Sequence, residues 1–337
     1  MPLTFHPRLV NGPSADPGLY VPFCFDNRAF IFDLGSLGVL SNRDLLKIDV
    51  GFITHTHMDH FIGFDPLLRL FLGRDKTLHL YGPEGFLKHV EGKLSGYAWN
   101  LVENYSNRFV LRVTEVCRDC RMTREYHCSQ AFSATNPIET EMGAGLLHPE
   151  PGLSVSAVIL DHQIPCLGYA LQERFHINIK KSALESLELE VGPWLREFKT
   201  ALFEGVPGDS EFIVKSQRGG PERHFSLGEL AGQIAVITPG QKIAYITDAV
   251  FHEENAEKIV AIAKDADQLF IESAFLESDR LIAERKFHLT ARQAGELAGR
   301  AGVRRFFLFH FSPRYGKDTE AMWREADKAY HAAAAYR

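Results

Sequence analysis

Residues 54–60 read Thr-His-Thr-His-Met-Asp-His and close the apolar run 50–54, VGFIT. Three imidazoles and a carboxylate (His55, His57, Asp59 and His60) stand together at the end of a buried strand. On a strand-to-helix turn, His55 and His57 can point one way while Asp59 and His60 wrap toward a neighbouring point. Imidazole and carboxylate donors suit zinc, and also manganese or iron. A solvated histidine-rich loop has no reason to abut an apolar strand, so a metal site is the expectation.

Working outward, residues 28–33 (RAFIFD) form a short apolar run ending in Asp33, and 61–72 carry apolar residues at helical spacing. A strand is expected at 77–81, a helix from Pro83 to about Gly96, and a strand at 109–116. Residues 117–150 are polar and irregular, and a surface insertion is expected there. Strands at 153–160 and 167–171 flank Asp161-His162-Gln163. Residues 174–232 are rich in charge and glycine, with helical runs at 182–189 and 193–203, the pattern of a projecting excursion. Strands follow at 234–238, 242–247, 268–272 and 305–310. Helices are expected at 254–264, 291–301 and 318–335, the second with Thr290 as N-cap, Gln293 three residues on, and Gly302 as stop.

The chain has 337 residues, 45% hydrophobic and 24% charged, the balance of a soluble globular protein. Its formal charge of −6 offers no global attraction to nucleic acid, so RNA binding needs a local basic patch. Neither a leader peptide nor an apolar run of membrane-spanning length is read, so a cytoplasmic protein without membrane contact is expected. Five cysteines, at 24, 117, 120, 128 and 166, do not suggest a disulfide framework. Cys117, Cys120 and Cys128 with His127 lack the partner pair of a standard zinc knuckle, so ordinary loop cysteines are expected. His148, His176, His224 and His252 have no ligand-like setting and are taken as surface residues.

The pattern H-x-H-x-D-H after an apolar strand resembles the signature of the metallo-β-lactamase superfamily. That resemblance implies three more ligands in order: His162 in LDHQIPCLGYAL, Asp248 in IAYITDAV and His310 in FFLFHFSPRY, each at the end of an apolar run. It implies two divalent metal ions, zinc foremost with manganese or iron as alternatives. One would be held by His55, His57 and His162, the other by Asp59, His60 and His310. Asp248 and a water or hydroxide would lie between them, with Asp59 orienting that water. The implied fold is α+β, a four-layer αββα sandwich with two mixed sheets. One domain would span 1–337, with 174–232 as an arm or cap and 117–150 as the insertion. Asp33 resembles the superfamily's Asp-x-Gly turn, and its expected role is to support the ligand loops.

Within the superfamily the chain is most similar to the ribonuclease Z branch. Glu272-Ser273-Ala274-Phe275 is similar to that branch's Glu-Ala-Thr-Phe stretch, His288-Leu289-Thr290 to its His before a helix, and HFSPRY to its closing motif. Val191-Gly192-Pro193 through Gly205 resembles the Gly-Pro segment of its tRNA-gripping arm. The resemblance implies that His288, held by Glu272, protonates the leaving oxygen, so that Asp59, His288 and Glu272 are the catalytic set. It implies a metal-dependent phosphodiesterase or endoribonuclease that processes precursor tRNA at its 3′ end, and a homodimer. The alternative is a small-molecule hydrolase of the same fold, acting on a phosphodiester, lactone or other ester. A metal carrier is a third reading, but it would not need His288 beside Glu272. The chain departs from the branch by lacking its opening Leu-Gly-Thr-Gly turn and its Pro-x-x-x-Arg loop. The candidate arm mixes Arg196 and Lys199 with Glu197 and Glu204, leaving Lys180, Lys181, Lys215, Arg218 and Arg223 as scattered cations.

Overall fold

The structure, a computed structural model, describes residues 5–24, 26–141, 145–215, 220–316 and 319–335. Arg218, and residue 318 at the start of the last expected helix, lie outside the described residues. The chain divides into two compact units, one formed by 148–155 and 171–242, the larger by 3–147, 156–170 and 243–337.

The larger unit begins with eight strands in sequence order: β1 (Arg8–Leu9), β2 (Leu19–Pro22), β3 (Ala29–Phe32), β4 (Ile48–Phe52), β5 (Lys76–Pro83), β6 (Phe109–Val116), β7 (Cys120–His127) and β8 (Ile138–Glu141). The run from β3 to β6 is parallel, and the strands on either side are antiparallel. Alternation along each strand sorts the side chains. Ala29, Ile31, Leu78, Leu80, Leu111 and Val113 enter one core with α3 (Phe64–Phe71) and α4 (Phe86–Ser95), helices that follow the short α1 (Asn42–Leu45) and α2 (Met58–Phe61).

A second sheet uses β9 (Leu146–Pro149), β10 (Leu153–His162) and β11 (Ile164–Glu173). The chain then forms four strands of two small sheets, β12 (Phe175–Ile179) paired with β15 (Ala235–Pro239) and β13 (Glu211–Val214) with β14 (Arg223–Ser226). It returns as β16 (Lys242–Ile246), β17 (Gln268–Glu272) and β18 (Phe306–Phe309), giving the order β18-β17-β16-β11-β10-β9. Ala244, Ile246, Leu269 and Ile271 face a core that includes residues of three later helices, α8 (Glu253–Ala263), α10 (Ala291–Ala301) and α11 (Glu320–Ala334). The opposite faces of the two sheets meet through aromatic rings. Phe32 lies 5.7 Å from both Tyr169 and Tyr245, and Phe52 lies 5.5 Å from Tyr169. Helix, sheet, sheet and helix therefore stack as four layers.

Helix α10 shows how tightly the outer layer is drawn in. Thr290 and Gln293 form a reciprocal capping box, and Gly302 ends the helix at φ 64°. A Cβ on Gly295 or Gly299 would collide with the α11 backbone at Ala326 or Tyr330, so only glycine permits this approach.

In the smaller unit, α5 (Lys181–Ser186), α6 (Trp194–Glu204) and α7 (Leu227–Ile234) enclose a core of Leu184, Trp194, Phe198, Val214, Leu227 and Leu230. No helix among the described residues is long and apolar enough to cross a membrane.

Three expectations need correction. The helical pattern at 61–72 is interrupted at Ile62 and Gly63. There Leu34 N donates to His60 O and Gly63 N donates to Leu34 O, both at 2.8 Å, so tertiary pairing replaces helix continuation. The described residues of 117–150 are not irregular throughout, because β7 and β8 extend the first sheet. Most β7 side chains are half-buried and all of β8's are exposed, so no apolar alternation announces them. His176 is buried, not at the surface, with Nδ1 3.2 Å from Glu173 and Nε2 3.1 Å from Asn178. Two polar partners allow an imidazole to be buried there.

Candidate metal centre

Every residue expected at the site belongs to the larger unit, and most stand at strand ends. Strand β4 leads into His55, β10 ends on His162, β16 precedes Asp248, β17 ends on Glu272, and β18 precedes His310. Side chains remote in sequence therefore meet at the carboxyl edge of the parallel strands, where open sheets gather ligands.

Asp248 lies at the middle of the cluster and is 1% exposed. Its Oδ2 is 3.1 Å from both His55 Nε2 and His60 Nε2 and 3.6 Å from His162 Nε2. Its Oδ1 is 2.9 Å from His310 Nδ1. Ligand atoms of His55, His57, His162 and Asp248 lie within 4.8 Å of one another, as do those of Asp59, His60 and His310. The same holds for Asp248, Glu272, His288 and His310. The structure thus brings together all nine expected site residues. Cys117, Cys120, Cys128 and His127 form no such group among the described residues.

The donor set fits divalent metal. Nε2 of His55 and of His60 and Nδ1 of His310 are buried and lack a hydrogen-bond partner, although Asp248 is close. Buried polar atoms without partners are costly, and a cation between imidazole and carboxylate would satisfy them.

Supporting contacts orient the imidazoles. Asp33 Oδ2 lies 2.9 Å from His60 Nδ1, and Asp33 accepts from Thr54 N at 2.7 Å and from Tyr245 OH at 3.1 Å. This matches the supporting role expected of Asp33. His162 Nδ1 donates to the Phe287 carbonyl at 2.7 Å. Thr54 Oγ1 and Cys166 Sγ lie 3.1 and 3.9 Å from His55 Nδ1. Such contacts leave Nε2 facing the cluster. Beside it, Glu272 Oε2 is 2.9 Å from His288 Nδ1, while Glu272 Oε1 accepts from Ala249 N at 2.8 Å.

The electrostatics divide the cluster. Burial pushes His55, His57 and His162 below the ordinary imidazole range. Burial opposes charge on His60 too, but Asp248 and Asp33 outweigh it and lift His60 to about 10. Carboxylates likewise raise His288 and His310 against the pull of burial. Burial would raise Asp59, yet His310 and His60 hold it at about 2.

These side chains border a cavity of about 420 Å³, lined by His57, Asp59, His162, Asp248, His288 and His310. Phe275, from the Glu272–Phe275 stretch, also lines it, as do Arg285, Lys286 and Phe287, to which no motif in the sequence points. No spacing rule points to them, because a left-handed turn at Phe287, φ 58°, sets their position.

The fold and the donor cluster define a hydrolase of the metallo-β-lactamase class. Residues 212–311 match the beta-lactamase superfamily domain. Ribonuclease Z of Deinococcus radiodurans is 32% identical over 300 residues, covering 88% of this chain and 85% of that relative. Ribonuclease Z of Thermobifida fusca is 33% identical over 306 residues, covering 88% and 79%. The metallo-beta-lactamase fold protein YhfI of Bacillus subtilis superposes with a TM-score of 0.56 at 13% identity, covering 97% of this chain and 94% of that one. Human tRNase Z, short form, gives 0.50 at 18% identity and covers 93% of each chain. The chain belongs to the ribonuclease Z family and is a metal-dependent hydrolase of the nuclease class.

Proposed function

We propose that this chain cleaves precursor tRNA after its 3′ end by hydrolysing a phosphodiester with two divalent cations, zinc foremost. The observation that carries this reading is the convergence of two histidine groups on Asp248, with the Glu272–His288 pair on the same cavity. His55, His57 and His162 would hold one ion and Asp59, His60 and His310 the other, with Asp248 shared. When bound, such ions activate water and offset charge growing on phosphate oxygens.

The chain's own residues supply the rest. Asp59 is held as a carboxylate by His310 and His60, so it can accept a hydrogen bond from the attacking water. His288 is oriented by Glu272 and shifted by it toward the protonated form, so it can donate a proton to the leaving oxygen. Asp33 and the Phe287 carbonyl keep His60 and His162 in fixed orientation. Assembly as a homodimer and a cytoplasmic location are proposed on family kinship.

A second reading, hydrolysis of a small phosphodiester, lactone or other ester, is favoured by the sparse cations of the smaller unit. Lys215 there pairs with Glu222 at 3.6 Å, and the Arg223 side chain donates to the Leu187 carbonyl. Lys180 and Lys181 remain exposed. Precursor tRNA and bis(p-nitrophenyl) phosphate, tested side by side on metal-reconstituted protein, separate the readings. Cleavage of both is expected. Hydrolysis of the diester with intact tRNA would remove the tRNA assignment.

A further inference from the structure

We infer that Arg285 and Lys286 form a clamp for a second substrate phosphate, one nucleotide away from the bond that is cut. The inference rests on the phosphodiesterase reading above and adds how a longer substrate is held.

Arg285 and Lys286 end α9 (Arg280–Lys286), are exposed, and line the same cavity as the donor cluster. Their neighbours are engaged. Arg280 pairs with Glu284 at 2.9 Å and Arg314 with Asp279 at 3.1 Å. Arg285 and Lys286, by contrast, make no ion pair or side-chain hydrogen bond among the described residues. Two adjacent unengaged cations beside a cavity floored by Asp59 and Asp248 are suited to an anion arriving from solvent. A helix C-terminus also favours basic residues, which accounts for charge at this turn but not for its place on the cavity wall.

The backbone strengthens the case. Phe287, next in the chain, adopts φ 58°, a strained conformation for a bulky side chain. Its N–H caps α9 through Ala283 O and Glu284 O, and its carbonyl accepts from His162 Nδ1. His288 follows and pairs with Glu272. One tight turn therefore carries the two cations, the carbonyl that orients His162, and His288. A phosphate held by the cations would be indexed against those groups by a rigid segment.

The test compares two small substrates: bis(p-nitrophenyl) phosphate, and a p-nitrophenyl phosphodiester of thymidine that also carries a 5′-phosphate. The parent protein should prefer the second, and the R285A/K286A variant should lose that preference. The loss should be about 10- to 100-fold in kcat/KM and reside in KM, while turnover of bis(p-nitrophenyl) phosphate stays within about twofold. The charge-preserving R285K/K286R variant should keep the preference. On single-stranded RNA the salt slope of binding should shrink by about 0.7 for each lost contact. A merely helix-stabilising role would lower the melting temperature and depress both small substrates alike, and that result overturns the clamp. So does a parent protein with no preference for the extra phosphate. Intact precursor tRNA with the small-substrate preference preserved would fault the tRNA assignment and leave the clamp standing.

Discussion

The two sides of the donor cluster use the same side chain to opposite electrostatic effect. His55, His57 and His162 stand where burial prevails, and their imidazoles are held toward the neutral form. His60, His288 and His310 stand among Asp33, Asp59, Asp248 and Glu272, and carboxylates hold them toward the charged form. The difference lies in the neighbours, since all six are histidines near one aspartate. In metal-free protein the first side therefore offers neutral nitrogen donors, while His60 and His310 on the second must release protons before they can bind a cation.

Asp248 is shared by both sides, so its replacement should have the largest effect. Asp248→Asn is expected to remove both metals and reduce hydrolysis to background, with metal content read by elemental analysis. Full activity at full metal content would break the comparison at its centre. His288→Ala should lower kcat by about 10²- to 10⁴-fold and leave metal content unchanged. Loss of metal in that variant would move His288 from proton donor to ligand, a place its proximity to Asp248 and His310 also permits. Asp33→Asn acts directly on the second side, through His60, and reaches the first only by way of Thr54 and His55. It should weaken one of the two metals by about 10- to 100-fold and spare the other, as measured by competition with a chelator.

The smallest expected effect concerns pH. In protein stripped of metal, His60 is raised from an ordinary value of 6.5 to about 10 by Asp248 and Asp33 against the cost of burial. A group raised on folding contributes stability fully present below its unfolded pKa and lost as pH climbs through its folded one. The melting temperature of stripped protein should therefore fall between about pH 6.5 and pH 10. It should fall less steeply in Asp33→Asn and in metal-loaded protein. Equal slopes in all three would show that His60 does not carry the charge assigned to it.

Much of this was legible from residue order alone. The turn at 54–60 announces itself because its candidate ligands are contiguous, and period-two alternation marks the first half of β6, where Phe109, Leu111 and Val113 are buried and Arg112 is exposed. The capping box and Gly302 mark α10 because helix-end chemistry is local. Strands β7 and β8 were not legible, because half-buried and exposed strands carry no apolar stripe. Nor was the break between α2 and α3, where pairing with Leu34 outweighs helical spacing.

The amino-acid sequence by itself determined the candidate donor types, their order and the strand ends that carry them, because each depends on near neighbours in the chain. Only the tertiary structure decided which imidazoles of the metal-free chain are shifted toward the neutral form and which toward the charged one, since that depends on Asp33, Asp248 and Glu272 arriving from other strands. It also decided that Arg285 and Lys286 stand on the cavity, since the left-handed turn at Phe287 and its bond to His162 join residues 125 positions apart.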